Sequence, residues 1–163
     1  MPLEHLKALI ALEESDCQRL TSLIRDIQSK SEAARAPGCD PSFDVHQLAA
    51  FGSYLHGLYS AFEGVLKAVA DHLEVAIPQT PNWHAELLST FGPTAATPGL
   101  RIISDDLFQL LDELRAFRHV FRVHYAFELE WRRMRGPVEC AETTTVLFFE
   151  SINRFVQTLT TPD

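Results

Sequence analysis

Cysteine is scarce in this chain, and the three present, Cys17, Cys39 and Cys140, share no short paired spacing. An odd number without a close pair argues against a disulfide framework and against a zinc centre, so reduced thiols are expected. Long apolar runs are missing as well, since no stretch approaches the roughly 20 residues that a membrane-spanning helix needs. The opening residues Met1-Pro2-Leu3-Glu4-His5 lack the basic-then-apolar order of a secretion signal, which points to a cytoplasmic protein with no membrane contact. The alternation of a β-strand is absent at any useful length, and no internal repeat occurs. Positive charge is in deficit, with a formal net charge of −8, which argues against nucleic-acid binding over the whole surface.

What remains is an ordinary globular composition, 46% hydrophobic and 22% charged, in a chain of 163 residues. That length suits one domain, residues 1–163, with a substantial core. From Leu3 to about Ser31, leucines and isoleucines recur at helical spacing with acids and bases between them. The Ala33–Pro41 stretch, with two prolines and a glycine, ends that helix, and Asp40 or Ser42 is the expected cap of the next. From Phe43 to about Leu73 a second stripe runs through Leu48, Phe51, Leu55, Leu58, Phe62, Leu66 and Val69. Gly52, Gly57 and Gly64 interrupt it, each at a cost of up to about 1 kcal/mol against alanine, which suggests close helix packing.

Residues 75–100 carry Pro78, Pro81, Pro93 and Pro98 and read as a long connection. Inside it, Trp83–Phe91 is expected to form a short helix whose apolar face plugs one end of a bundle, and Thr94–Gly99 to be its most mobile part. Ser104-Asp105-Asp106 is a good helix opening, a cap followed by acids in the first turn. That third long helix is expected to run to about Trp131, before Gly136-Pro137 stops it, and a fourth from Glu139 to Leu159. The sum is an all-α fold, an up-and-down four-helix bundle with a short extra helix in the second long connection.

The third long helix holds the least ordinary stretch. Leu107, Leu114, Phe121 and Tyr125 fall within about 40° of one another on a helix, and Arg118 lies only about 20° from Leu107. A guanidinium on the buried side must meet a carboxylate, an interface or a bound anion. Glu63 and Asp44 are both candidate acids. Arg115 and Arg122 flank the stripe on one side and His124 lies on the other. Residues 115–135 hold six arginines against Glu128 and Glu130, a net of +4 that leaves −12 for the rest. A local basic surface on an acidic body fits a small phosphate-bearing substrate or an acidic partner, or else merely a solvated helix end at Trp131–Arg135. His119 and His124 are five apart, where two ligands on one helix face prefer three or four, so no metal site is expected.

Arg118, then the polar His119, then His124 resembles the signature of the HEPN superfamily. Ser53–Glu63, Asn82–Leu88 and Phe117–Arg122 together resemble its HepT-like branch, in similar order and spacing, over about residues 45–155. That resemblance implies a metal-independent endoribonuclease without a cofactor, the toxin of a toxin and antitoxin pair. It implies a homodimer in which two motif helices form a composite cleft over RNA. Arg118 and His124 are the implied catalytic pair, with Arg115, His119 and Arg122 supporting or binding RNA. The implied partner is an MntA-type nucleotidyltransferase antitoxin, with Tyr125 the possible AMP acceptor. The chain is not itself that transferase, since Gly52-Ser53 is followed by no Arg-Gly and no paired-aspartate strand is present. It departs from the family at one place. HepT-like chains commonly put histidine five residues after the arginine, whereas here that position is Val123 and the histidine follows at 124. One residue turns a helical side chain by about 100°. A catalytically degenerate helical module that dimerises and holds a partner or a nucleotide is the alternative.

Overall fold

The computed structural model describes residues 1–35, 39, 41–77, 79–123 and 129–159. Five α-helices occur among them: α1 (Leu3–Ala33), α2 (Val45–His72), α3 (Trp83–Phe91), α4 (Asp105–Val123) and α5 (Trp131–Thr158), with a 3-10 turn at Pro98–Leu100.

The second helix is the spine, and its cap is Asp44 rather than the Asp40 or Ser42 expected from sequence. Asp44 Oδ1 accepts from the backbone N–H of Gln47 at 2.8 Å, and Gln47 Oε1 accepts from the N–H of Asp44 at 2.9 Å. This reciprocal box satisfies two donors that a helix N-terminus otherwise leaves open. From there Phe51, Leu55, Leu58, Phe62, Leu66 and Val69 recur on one buried face, and α2 packs against each of the other four helices. Fully burying each such side chain is worth about 1.5–3 kcal/mol. The helix ends in a Schellman turn. Val75 N–H donates to Ala70 O at 2.8 Å, which requires a left-handed residue between, and Glu74 takes it at φ 56°.

Long-range contacts give the directions. Met1 reaches Asp71 and His72, while Ser31 reaches the backbone of Ser42, so α1 and α2 are antiparallel. Arg25 pairs with Glu142, and Asn153 donates to Glu14, which sets α5 antiparallel to α1. Phe51 packs on Trp131 and Phe62 on Phe148, so α2 and α5 run parallel across the diagonal. The result is the expected up-and-down bundle, with α3 lying against α2 and α4. Buried residues from all five helices form one continuous core. The close packing expected at the glycines holds at Gly52, where a Cβ would overlap the Phe121 ring of α4, but not at Gly64, where it would meet nothing within 4 Å.

The short helix Trp83–Phe91 lies where its apolar spacing placed it. In the following connection, Arg101 Nε donates to Ala95 O at 3.2 Å, and Ile102 and Ile103 both donate to Phe91 O. The boundary between the last two helices is different from expectation. Leu129 and Glu130 are already outside any helix, α5 opens at Trp131, and Gly136-Pro137 lies within it rather than ending its predecessor. The reason is phase: Met134, Pro137, Val138, Ala141, Thr145, Phe148 and Ile152 keep one buried stripe unbroken through the Gly-Pro pair. Burial of that stripe outweighs the roughly 3 kcal/mol that an interior proline costs. Thr144 and Thr145, weak helix formers, return their hydroxyls to the carbonyls of Cys140 and Ala141 at 2.8 Å.

Candidate functional site: a polar seam between three helices

Where α2, α3 and α4 meet, the apolar packing is broken by charged groups. Glu63 faces inward from α2 and is 5% exposed, which an ionised carboxylate tolerates only with partners. It has two. Lys67, one turn further along α2, places Nζ 3.3 Å from Glu63 Oε1, and His84 of α3 hydrogen-bonds the other oxygen through Nδ1. The opposite ring nitrogen of His84, Nε2, lies 3.5 Å from Nη1 of Arg118 on α4. Since Arg118 has only protons to offer, the pattern assigns His84 the neutral tautomer that donates from Nδ1 to Glu63 and accepts at Nε2 from the guanidinium.

Two aromatic rings frame this seam. Trp83 packs on His84 with ring centroids 3.7 Å apart and planes tilted by 30°, and Lys67 Nζ lies 4.1 Å from the Trp83 ring centroid, a cation–π distance. Tyr59 lies under Arg118, whose guanidinium carbon is 6.0 Å from the ring centroid. Burial pushes the Tyr59 phenol well above its ordinary range, and the nearby Glu63 carboxylate adds to the shift, so this group is a neutral wall at physiological pH.

The charge balance decides what the seam can do. Glu63 is answered by Lys67, and Arg115 Nε donates to Asp112 Oδ1 at 2.7 Å. Among the described residues Arg118 meets a neutral imidazole rather than an acid, and its buried Nε has no hydrogen-bond partner. The acid expected to meet it is present, but one residue removed: Glu63 is reached through His84. Asp44 is spent in the α2 cap, roughly 22 Å along the helix from Tyr59 at 1.5 Å per residue. A half-buried guanidinium with unspent donors suits an anion.

The remaining sequence-chosen residues are distributed unevenly. His119 is exposed on α4. Arg122 belongs to the last turn of α4, with its side chain outside the described part, and His124 and Tyr125 lie outside the described residues. At the start of α5 the basic run is answered at the surface, by Glu130 for Arg132 and Arg133 and by Glu139 for Arg135. His84 was missed by sequence reasoning, which read α3 only as an apolar plug. The available signal was a histidine beside Trp83 on a helix that buries Leu87, Leu88 and Phe91. Among the described residues no group of three or more His, Cys, Asp or Glu side chains is arranged to hold a metal ion, and no helix is long and apolar enough to cross a membrane.

The three polar partners come from the three segments whose order suggested a family: Glu63 from the first, His84 from the second and Arg118 from the third. A family model described as HepT-like protein matches residues 50–159. The chain belongs to the HepT-like family. The match begins inside α2 and leaves out α1, so the whole polar seam falls within the HepT-like part. No curated protein and no solved structure matches the chain.

Proposed function

We propose that this HepT-like protein is a metal-independent endoribonuclease, the toxin of a toxin and antitoxin pair. The observation that carries the reading is Arg118: a half-buried cation beside a neutral histidine, with no carboxylate of its own among the described residues. Held this way, it is preorganised for the negative charge that grows on a phosphate during transfer, and its orientation costs no rearrangement when the substrate arrives. The 2′-hydroxyl of the preceding ribose then attacks the phosphate, and His124 of the motif takes part in the accompanying proton transfer. Arg115, His119 and Arg122, on the same helix, supply the further contacts to RNA.

The protein acts as a homodimer in which two copies of α4 form one cleft, and an MntA-type nucleotidyltransferase neutralises it by attaching AMP to Tyr125. Family membership supports both statements. The test is incubation of single-stranded RNA with purified protein in EDTA. Wild type cleaves, whereas Arg118→Ala and His124→Ala fall by about 100-fold or more at unchanged helical content. Absence of cleavage by wild type at any dose would replace the enzyme with a non-catalytic helical module, and equal cleavage by Arg118→Ala would remove the arginine from the chemistry. Light scattering reports the dimer. Co-expression with a transferase of that type yields a mass gain of one AMP, which Tyr125→Phe abolishes.

A further inference from the structure

On the ribonuclease reading above, we infer that Glu63 and His84 form a carboxylate–imidazole dyad in which His84 is a catalytic residue, taking the proton of the ribose 2′-hydroxyl, and Glu63 its positioning residue.

The geometry carries this in three steps. Glu63 fixes the tautomer: by accepting from Nδ1 it leaves the lone pair on Nε2, where a general base needs it. Trp83, with its ring centroid 3.7 Å from that of the imidazole and tilted by 30°, limits the swing of the ring. The fixed lone pair then points at the cation that would bind phosphate, since Nε2 is 3.5 Å from Arg118 Nη1. That contact is at the outer limit of a hydrogen bond, so a phosphate oxygen drawing on the guanidinium displaces it readily and frees Nε2. Exposure is graded in the sense the chemistry requires. The Glu63 side chain is 6% exposed and that of His84 22%, so the orienting acid is hidden and the base is reachable.

His124 lies outside the described residues, whereas α3 delivers His84 from across the seam, with Nε2 3.5 Å from Arg118 Nη1. The step balances without a metal. The O2′–P bond forms as the P–O5′ bond breaks, the 2′-hydroxyl proton passes to His84 Nε2, and the leaving 5′-oxygen takes a proton from solvent water. The products are a 2′,3′-cyclic phosphate and a 5′-hydroxyl. Protonated His84 then releases its proton to solvent.

The test uses the full chain and a short single-stranded RNA in EDTA, with binding measured by fluorescence anisotropy and fold by circular dichroism. His84→Ala, and His84→Gln where the smaller side chain unfolds the seam, are expected to lower kcat by about 100-fold or more with KM and RNA affinity near wild type. The wild-type kcat/KM rises through the acid limb of the pH profile. The His84 variants lose that limb, although Glu63, Lys67, Arg115 and Arg118 still surround the position. Glu63→Gln gives an intermediate loss. An RNA whose scissile 5′-oxygen is replaced by sulfur, a leaving group that needs no acid, does not restore the His84 variants. Restoration by that substrate would make His84 the acid and overturn the assignment, as would His84 variants cleaving at the wild-type rate. Wild type that cuts no RNA would remove the ribonuclease reading and the dyad together, whereas active wild type with unaffected His84 variants removes the dyad alone.

Discussion

Replacing Gly52 and Gly64 by alanine, one at a time, tests the packing that brings α4 beside α2. Both are helical glycines on α2, and alanine raises intrinsic helix stability at either by about 0.8–1 kcal/mol. They differ in what the added methyl meets. At Gly52 it would lie 2.8 Å from Phe121 Cδ2 and 3.1 Å from Leu129 Cδ1, with a second Phe121 ring atom closer still. A phenyl ring cannot shorten, so Phe121 must swing outward from the seam or α4 must retreat, and overpacking of this kind costs about 1–3 kcal/mol. Net of the propensity gain, Gly52→Ala should destabilise by up to about 2 kcal/mol. At Gly64 nothing lies within 4 Å, so Gly64→Ala should stabilise by about 0.5–1 kcal/mol. Urea denaturation reads both as opposite shifts of the midpoint at constant m-value. Shifts of the same sign would show that α2 and α4 do not approach as described, and the position of Arg118 against His84 would fall with that approach.

Asp44→Ala removes one half of the α2 capping box and should cost about 1 kcal/mol in the same assay, while Gln47→Ala costs less because the backbone donor it leaves can reach water. Glu74→Gly relieves a left-handed residue at φ 56° and should raise the melting temperature, with a gain of roughly 0.5–1 kcal/mol. Cys17 is fully buried in α1 while Cys39 is exposed, so native protein treated with iodoacetamide should take its label at Cys39 and spare Cys17, as read by mass spectrometry of peptides. Burial, helped by Glu13, Asp16 and Glu14, pushes the Cys17 thiol from its ordinary 9.0 up to about 12. The unfolded chain therefore loses this proton first as pH rises. The stability is fully present below pH 9.0 and is lost between there and about pH 12, where Tyr59, raised in the same direction, adds to the fall. Cys17→Ala should flatten that alkaline limb, measured by urea midpoints across the range.

The helix inventory was legible because each long helix buries one face, and one-face burial writes itself into the chain as a 3.6-residue period. Trp83–Phe91 was readable to its ends for this reason, with Pro81 and Gly92 outside them. The same criterion, followed through Met134 and Val138, carries α5 across Gly136-Pro137, where a local breaker signal and the phase of the buried stripe disagree. The cap of α2 was misplaced because several residues before Val45 are able to cap, and only the reciprocal bond with Gln47 selects Asp44.

Sequence by itself determined the helices, their apolar stripes, and that a charged Arg118 would face inward, since these follow from local spacing and the cost of burying charge. Tertiary structure alone decided what that arginine meets. Glu63, His84 and Arg118 stand 21 and 34 positions apart, and no local period relates them; the antiparallel approach of α2 and α4, with α3 laid across, brings them together. The polar seam is therefore a product of packing: the acid answers the lysine on its own helix, and the histidine lies between it and the cation.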